Sequence, residues 1–523
     1  MKIVTSEQMK TIEARSEAAG VSTDALMENA GLAVATVVRE HIEQAIGRKF
    51  TGQSVLVLVG PGNNGGDGLV AARHLFQWFA QPTVYLIRPK QDSDSRLDEV
   101  RGLPIPIVES VNDAELSQLR AVLNDAQMVI DALLGTGSNR PIEGTMKAVL
   151  DEVRREKANR PEMLVLAVDI PSGVNADTGV VDEAAVTADV TAALGYPKVG
   201  EFTSPGAEMC GLLETVDIGI PDGLDEDVQL ELMTQEWAKG LLPQRPSSAH
   251  KGTFGRALIV AGSRRYVGAA YLASRAASRA GAGLVTLALP EGIQNAVASN
   301  IVEPTYIPLP ESSPGTMEAE AASLVLDELP QYSALLVGCG VGLETPTRLA
   351  IQRILFESKT MDKPTVVDAD GLNILSAVRD WPKRFTQKAI LTPHAGEMAR
   401  LLGRKDRIES HERITVSTRS ARAWNKVVVL KGAYTVIARP DGVALMSPFA
   451  NPGLASAGTG DVLAGIIAGL LSQGISLENA AALGVFLHGL AGEYVREELG
   501  DTGMIASDLL PALPKTIKAL RNG

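Results

Sequence analysis

The first residues of the chain show the periodicity of amphipathic helices. Met9, Ile12 and Ala19 share one helix face, and Thr5 with Gln8 has the spacing of a capping box, in which each side chain accepts a hydrogen bond from the other residue's backbone. A second helix is predicted directly afterwards. Its apolar positions are Leu26, Ala30, Ala33, Val34 and Val37.

Short apolar runs rich in Val, Ile and Leu follow, separated by segments of helix length. In the first half they span residues 54–60, 83–88, 128–135, 164–170 and 189–195. In the second half they span residues 256–263, 284–290, 334–340, 364–370, 389–394 and 427–438. Runs without polar alternation are typical of parallel strands that are buried on both faces. The pattern therefore predicts an α/β fold with a parallel sheet in each half.

The series of apolar runs is interrupted at residues 220–237, where proline, glycine and acidic residues predict a linker. A chain of 523 residues also exceeds what one hydrophobic core usually organises. We therefore predict two α/β domains, residues 1–224 and 225–523.

Composition narrows the functional classes. The net charge of -13 and the lack of a basic patch argue against binding to nucleic acid. No signal peptide and no apolar run of about 18 residues is visible, so no membrane association is expected. Cys210 and Cys339 lie far apart in apolar stretches, which favours small core residues in a reducing compartment. The sequence predicts a cytoplasmic protein.

Glycine-rich segments follow several strands, where ligands of open α/β sheets bind. In "GPGNNGGDG", Gly60, Gly62 and Gly65 match a dinucleotide fingerprint, but the next strand ends in Arg88-Pro89 rather than in an acid. A turn needed only for packing is a second interpretation. The third, which explains the polar residues Asn63, Asn64 and Asp67, is a ligand-binding loop before the helix at residues 69–80.

Two further strands of the first half end in oxygen-bearing side chains, Asp131 in one case and Asp169 with Ser172 in the other. Carboxylate, amide and hydroxyl oxygens from three strand ends would form a cage suited to a hard cation such as an alkali ion. Each residue by itself could equally be a helix cap. The three strand ends together favour a site.

The segment "NPGLASAGTGDVLAGIIAG" (451–469) carries the strongest chemical signal. Small residues before an apolar helix leave backbone N–H groups free to bind a phosphate at the positive end of the helix. A carboxylate there would repel phosphate unless it has another task, so Asp461 is predicted to accept a proton from a substrate hydroxyl. An ordinary N-terminal helix cap is the alternative. Functional or structural roles remain open for His250, Lys251, His394, Glu397, Lys431, Gly432 and Thr435.

These motifs resemble two known domains. "AGTGD" before an apolar helix is similar to the anion-hole motif of the ribokinase-like superfamily. Within it, "HKGTFGRALIVAGS", "DADGLN", "LTPHAGE", "LKGAYT" and "NPGLASAGTGDVLAG" resemble the dehydratase domain that repairs hydrated NAD(P)H. In the first half, "LMENAG", "GPGNNGGDGLVAARHL", "DALLGTG", "DIPSGVNADTG" and "GYPKVG" resemble the NAD(P)H-hydrate epimerase domain. Their order is that of the bacterial bifunctional NAD(P)H-hydrate repair enzymes. This implies a Rossmann-like three-layer sandwich at residues 1–224 and a ribokinase-like one at residues 225–523.

For the first domain, the resemblance implies interconversion of the R and S epimers of NADHX and NADPHX, which carry water at C6 of the nicotinamide ring. Asp169 would transfer the proton. The implied substrate contacts are Asn63, Asn64, Gly65, Gly66, Asp67, Gly135, Thr136, Gly137, Ser138, Asn139, Arg140, Pro141 and Asp169. Potassium would be held by Asn64, Asp131 and Ser172, in agreement with the oxygen cage.

For the second domain, the resemblance implies dehydration of the S epimer with ADP as co-substrate and Mg²⁺ accompanying the nucleotide. Asp461 would be catalytic. Gly340, His394 and Asp461 would contact the hydrate. The implied nucleotide contacts are Lys431, Gly432, Ala433, Tyr434, Thr435, Ser456, Ala457, Gly458, Thr459 and Gly460. A homo-oligomer is also expected.

The chain departs from the family at small positions, with Ala395 and Cys339 where proline is common and Ser456-Ala457 in place of a threonine-glycine pair. These leave the choice between ADP and ATP open. Two rival functions are a kinase of a sugar or vitamin alcohol, which would release a stable phosphorylated product, and a chain in which one half only binds. The epimerase-like half argues against the kinase, and the presence of Asp131, Asp169 and Asp461 argues against a silent half.

Overall fold

The chain divides into two compact units in the computed structural model, which describes residues 1–47, 49–87, 95–138, 140–357 and 363–522. The first unit spans Lys2–Val228, and the second spans Gln229–Gly523 together with Met1. The division follows Val228, whereas the sequence predicted it after Leu224. No helix in these ranges combines the length and the apolar character needed to cross a membrane.

Helices and strands alternate through most of the first unit. They are α1 Ser6–Ala18, α2 Thr23–Ile46, β1 Ser54–Val59, α3 Asn63–Gln77, β2 Gln81–Leu86, α4 Ser95–Arg101, β3 Ile107–Glu109, α5 Ser117–Asp125, β4 Met128–Ala132, α6 Gly144–Asn159, β5 Leu164–Val168, β6 Val190–Leu194, α7 Gly206–Met209 and β7 Leu212–Val216. A 3₁₀ turn spans Val199–Phe202. The capping box of Thr5 and Gln8 is confirmed, but Ala19 is the exposed C-cap of α1 rather than part of its buried face.

The described strands of the first unit form one parallel sheet of seven, in the order β3-β2-β1-β4-β5-β6-β7. Alternate residues of β1 face opposite layers: Val55 and Val57 pack with α2 and α3, while Leu56 and Leu58 pack with α5 and α6. Both faces are thus buried, as the uninterrupted apolar runs predicted. The order reverses between β1 and β4, where a crevice opens beyond the carboxyl ends of the strands.

The glycine-rich segment after β1 differs from its prediction. We expected a loop over residues 60–68 with a helix at residues 69–80, but α3 already begins at Asn63. The helix can begin this close to the strand because its first turn contains glycines, which have no side chain. A Cβ atom on Gly65 would lie 2.1 Å from the carbonyl oxygen of Gly60, and one on Gly66 would lie 2.6 Å from Met27 Sδ. Two of the glycines therefore serve packing.

The second unit has the same alternation over more elements. They are β8 Leu230–Leu232, α8 Gln235–Leu241, β9 Arg256–Val260, α9 Val267–Arg279, β10 Leu284–Pro290, α10 Glu291–Ala298, β11 Thr305–Leu309, β12 Glu311–Ser313, β13 Thr316–Met317, α11 Ala321–Glu328, β14 Ala334–Val337, α12 Thr345–Phe356, β15 Thr365–Val367, α13 Asp370–Ser376, α14 Trp381–Arg384, β16 Ala389–Leu391, α15 Ala395–Leu401, α16 Arg413–Trp424, β17 Val427–Leu430, β18 Val436–Ala438, β19 Ala444–Met446, α17 Thr459–Ser472, α18 Leu477–Leu499 and α19 Leu509–Asn522.

Its main sheet, within the described residues, has ten strands in the order β11-β10-β9-β14-β15-β16-β17-β18-β19-β8. The strands from β11 to β17 are parallel, whereas β18 runs antiparallel to both of its neighbours. The apolar run at 427–438 is therefore two strands joined by the turn Lys431–Thr435, not one. Helices cover both faces, with Ile259 in one apolar cluster and Leu258 in the other. Two three-layer α/β sandwiches are thus confirmed.

Candidate active sites

A cavity of about 680 Å³ lies in the crevice of the first unit between β1 and β4. Its lining includes most of the substrate contacts predicted for this unit: Asn63, Asn64, Asp67, Gly135, Thr136, Gly137, Ser138, Arg140 and Asp169. Gly65 and Gly66 pack inside α3 instead, and Pro141 is exposed and is not among the described lining residues. Asn139 lies outside the described residues.

The predicted cation ligands come together around the backbone of Leu134. Asn64 Nδ2 donates to the Leu134 carbonyl oxygen at 3.0 Å, and the Leu134 N–H donates to Ser172 Oγ at 2.9 Å. Ser172 in turn donates to Asp131, through Oγ at 2.6 Å and through its backbone N–H at 2.8 Å. Asn64 after β1, Asp131 near the end of β4 and Ser172 after β5 thus belong to one hydrogen-bonded group.

Asp131 is buried among neutral donors. Besides Ser172, the backbone N–H of Leu133 donates to it at 3.3 Å. Burial raises the pKa of Asp131, and the hydrogen bonds from Ser172 and Leu133 offset this only in part. A positive charge at this position would stabilise the carboxylate.

Asp169 is the residue after β5 and adopts a left-handed backbone, with φ of 67°. Non-glycine residues rarely adopt this conformation, and strain of this kind concentrates at functional sites. Asp169 Oδ1 accepts hydrogen bonds from the Leu194 N–H, at 3.1 Å, and from the ammonium group of Lys198. The carboxylate lines the cavity, as a proton-transfer group requires.

The sequence analysis missed several residues of this cavity. Met9, Lys10 and Glu13 reach it from α1, and Met27 reaches it from α2. Glu13 follows Met9 by one helical turn, so the periodicity of α1 contained this signal. Burial raises the pKa of Glu13 and, more strongly, that of Asp67, and the charge on Asp169 adds to both shifts. Lys198 was part of a quoted motif but had received no role.

Asp461 lies in the first turn of α17. The helix is capped by Gly458, whose φ of 90° is left-handed, and begins at Thr459, close to the predicted start. Burial raises the pKa of Asp461 to about 6, with a further contribution from the charge on Asp368. A carboxylate with this pKa is ionised at neutral pH and is still a stronger base than an exposed aspartate, which suits a general base.

Lys431 carries the positive charge of this site. Its ammonium group donates to Asp368 Oδ1 at 2.7 Å and lies 3.9 Å from Glu397 Oε2. Burial by itself lowers the pKa of Lys431, but the charges of Asp368 and Glu397 outweigh it and the net pKa is raised. Lys431 is therefore a fixed cation at the carboxyl ends of β15, β16 and β17.

The backbone at the start of α17 approaches this cation closely. A Cβ atom on Gly460 would lie only 3.4 Å from Lys431 Nζ, and one on Gly458 would lie 2.7 Å from the Leu272 side chain. The hydroxyl groups of Ser456 and Thr459 both donate to backbone carbonyl oxygens. Space, N–H groups at a helix N-terminus and one ammonium group thus form a cradle suited to a phosphate.

Two further predicted contacts, His394 and Gly340, follow strands of the same sheet. His394 caps α15 through Nδ1, which accepts from the N–H groups of Gly396 and Glu397 at 3.0 and 3.3 Å, so Nε2 carries the proton. Burial lowers the pKa of His394, and Lys431 lowers it further. Gly340 follows β14, and its φ of 59° and its contact with Tyr266 exclude a side chain.

Cys339 is more than the small core residue that we predicted. It is fully buried, but its thiol donates to Asp368 Oδ2 at 3.8 Å. Ligand atoms of Cys339, Asp368 and Asp461 lie within 4.8 Å of one another. Burial and the two carboxylates raise the pKa of the thiol, which is neutral at physiological pH. Cys210 fits its prediction as a buried core residue.

Arg413, which the sequence analysis also missed, stabilises the turn Lys431–Thr435 through hydrogen bonds to its backbone. Its guanidinium group donates to the carbonyl oxygens of Ala433, at 2.5 Å, and Leu430, at 3.0 Å. Thr435 Oγ1 donates to the Gly432 carbonyl oxygen at 2.8 Å and closes the turn. By contrast, His250 and Lys251 are exposed and precede β9, at the opposite edge of the sheet, which favours a structural role for them.

Comparison with known proteins places both units. The family model described as YjeF-related protein N-terminus matches residues 23–200, and the model described as NAD(P)H-hydrate dehydratase matches residues 257–515. The bifunctional NAD(P)H-hydrate repair enzyme of Moorella thermoacetica is 39% identical and covers 95% of this chain and 92% of its own. The bifunctional NAD(P)H-hydrate repair enzyme of Thermofilum pendens is 38% identical, and the match covers 100% of this chain and 97% of the relative.

A solved structure, the ADP/ATP-dependent NAD(P)H-hydrate dehydratase from Bacillus subtilis co-crystallised with ATP and Mg²⁺, is 32% identical to this chain. It covers 55% of this chain and 98% of its own, with a TM-score of 0.48.

Proposed function

The chain belongs to the family of bifunctional NAD(P)H-hydrate repair enzymes, and from this premise we propose that its first unit epimerises the R and S hydrates of NADH and NADPH while its second unit dehydrates the S hydrate. The observation that carries the proposal is the presence, on one chain, of a phosphate cradle with its own general base and of a separate cavity lined by Asp169.

In the second unit, the phosphoryl group of ADP passes to the C6 hydroxyl of the S hydrate, leaving AMP. Asp461 accepts the hydroxyl proton as the new oxygen–phosphorus bond forms, and Lys431 with the N–H groups at the start of α17 stabilises the charge on the phosphoryl oxygens. Phosphate then leaves C6, the neighbouring carbon loses a proton, and the ring double bond is restored. Phosphorylation converts hydroxide, a poor leaving group, into phosphate, a good one.

The acidic groups next to the cradle do not form a site for a resident Mg²⁺. Mg²⁺ prefers oxygen ligands in octahedral geometry, whereas Cys339 offers a thiol and Asp368 is paired with Lys431. We therefore propose that Mg²⁺ arrives bound to the phosphates of the nucleotide. Bound in this way, it would neutralise part of the phosphate charge.

The residues around Leu134 do fit a potassium ion. Their donor set contains carboxylate, hydroxyl, amide and carbonyl oxygens, and Asp131 is a buried carboxylate whose hydrogen-bond partners are neutral. Asn64, Asp131 and Ser172 would hold the ion. The ion would supply the positive charge that Asp131 otherwise lacks.

Potassium is expected to stabilise the first unit against unfolding. A ligand at a hundred times its dissociation constant stabilises by about 2.7 kcal/mol, which raises the melting temperature by several degrees. Thermal melts in potassium chloride and in choline chloride at equal ionic strength measure this difference. Asp131→Asn should abolish it, whereas Asp113→Asn, which changes an equally buried carboxylate bonded to Leu119 and Ser117, should keep it. If potassium raised the melting temperature of Asp131→Asn as much as that of the wild type, the proposed ion site would be contradicted.

The whole function is tested by adding the protein to a mixture of R and S NADHX with ADP and following the near-ultraviolet absorbance of NADH. Nearly complete recovery that depends on ADP requires both activities, since a dehydratase alone would stop at the S fraction. A stable phosphorylated product in place of NADH would favour the kinase alternative. Parallel runs with ATP and with NADPHX establish the co-substrate and the preferred hydrate.

We further propose a cytoplasmic location, supported by two free cysteines and by a co-substrate of central metabolism. The homo-oligomeric state stays a prediction.

A further inference from the structure

Lys198 is the one fully buried lysine among the described residues of the first unit, with 0% of its surface exposed. It follows β6 by four residues, and its ammonium group donates to Asp169 Oδ1 and, at 3.3 Å, to the Leu194 carbonyl oxygen. A buried ammonium ion is costly unless it is paired. The buried ammonium group of Lys198 is therefore paired with the carboxylate of Asp169, which lines the cavity.

The two oxygens of Asp169 have different surroundings. Oδ1 accepts from both the Leu194 N–H and Lys198, while no donor from the described residues reaches Oδ2. The left-handed backbone at Asp169 fixes the direction in which the side chain leaves the sheet. Lys198 thus determines which carboxylate oxygen is available to a ligand.

Other charged groups face this pair from neighbouring elements. Glu201, in the 3₁₀ turn, accepts from the Lys198 backbone N–H through Oε2 at 2.5 Å and is fully buried, and burial raises its pKa to about 8. Glu13 on α1 and Asp67 on α3 also have raised pKa values, with Lys10 and Arg96 acting on them in the opposite direction. At neutral pH Glu201 is protonated, so the charge of Lys198 is balanced by Asp169.

We propose that Lys198 is the positioning residue of the first site, which holds Oδ1 of Asp169 so that the ionised Oδ2 faces the substrate. This inference rests on the proposed epimerase function. Epimerisation changes neither mass nor oxidation state, so the proton that Asp169 takes from the hydrate returns to the hydrate within the turnover. Lys198 stays an ammonium ion throughout and acts only through Asp169.

The experiment measures conversion of R to S NADHX by chromatography without nucleotide, so that the second unit does not turn over. The kcat and KM of wild-type protein, Lys198→Met and Lys198→Arg are compared. Lys198→Met removes the group that holds Oδ1 of Asp169, and misplacing a catalytic group costs roughly 10²-fold in rate, so kcat should fall by about that factor. KM should change little, because Lys198 is not among the residues lining the cavity. Lys198→Arg keeps the charge and the donor and should recover part of the lost kcat.

Lys157→Met is the matched control, since Lys157 pairs with Asp189 at 2.8 Å outside the cavity and its loss should leave kcat and KM unchanged. A folded Lys198→Met protein that keeps the wild-type kcat, or whose lost kcat is not recovered in part by Lys198→Arg, would show a merely structural role. If Lys198→Met does not fold, a Lys198→Arg protein that changes only in KM overturns the proposal. Wild-type protein that dehydrates the S hydrate but leaves the R hydrate untouched would instead refute the epimerase function itself.

Discussion

Asp461→Asn is expected to slow dehydration of S NADHX by roughly 10²–10⁴-fold, the contribution of a positioned general base. Asparagine has nearly the same size and can occupy the first turn of α17, but it cannot accept the proton of the substrate hydroxyl. The phosphate cradle of backbone N–H groups and Lys431 remains. We therefore expect the loss in kcat, with a nucleotide KM close to that of the wild type. Single-epimer assays with ADP, followed through NADH absorbance, measure both constants.

The pH dependence of the same reaction checks the assignment. Because burial and Asp368 raise the pKa of Asp461 to about 6, the base is ionised above that pH and is progressively protonated below it. The dehydration rate of the wild type should therefore be level near neutral pH and fall as the pH drops through about 6. The residual rate of Asp461→Asn should lack this limb.

Glu478→Gln is a matched control. Like Asp461, Glu478 lies in the first turn of a helix, here α18, and so interacts with a helix dipole in the same way, but it is not part of the candidate site. Its dehydration rate should equal that of the wild type. An Asp461→Asn protein that keeps most of its kcat would leave Asp461 as an ordinary helix cap. Epimerisation should be unchanged in both variants.

Glycine spacing and strand ends predicted part of both candidate sites from the sequence, and the resemblance to known domains supplied the other contacts. A carboxylate at the end of a buried strand, as at Asp131, or in the first turn of a helix that follows glycines, as at Asp461, can be recognised locally. Parallel topology then brings such residues to the same edge of the sheet. The same rule misplaced the start of α3, because glycine in a sequence does not distinguish a loop from a helix that packs unusually close to a strand. The run at 427–438 was similarly ambiguous, because a tight turn between two apolar strands keeps the run apolar overall.

Three of the residues that the sequence analysis missed contact the reactive groups or their supporting backbone and do not line the cavity of the first unit. Lys198 and Asp368 are buried partners whose roles depend on a second charged residue far away in the chain, Asp169 in one case and Lys431 in the other. Arg413 donates to two backbone carbonyl oxygens and belongs to no motif that the sequence analysis quoted. Such contacts depend on the packing of elements distant in sequence, so local patterns do not reveal them.

Asp169→Asn is expected to reduce epimerisation by a similar factor, roughly 10²–10⁴, while dehydration of the S hydrate continues. Asparagine suits this position because it tolerates the left-handed backbone, whereas alanine would be strained there. The variant should therefore recover NADH from an R and S mixture only up to the S fraction, followed by a slow phase set by spontaneous epimerisation. The amplitude of the fast phase with ADP in excess measures this directly.

The substitution also leaves Lys198 buried without a counter-charge, and breaking a buried pair in this way costs about 3–5 kcal/mol. Asp169→Asn/Lys198→Met removes both charges and should recover most of that stability without recovering epimerisation, which separates chemistry from folding. Asp189→Asn, which breaks the more exposed pair with Lys157, should recover NADH from both epimers. A folded double variant that still converts the R hydrate at the wild-type rate would show that Asp169 does not transfer the proton, because neither charge of the pair would then be needed for the reaction.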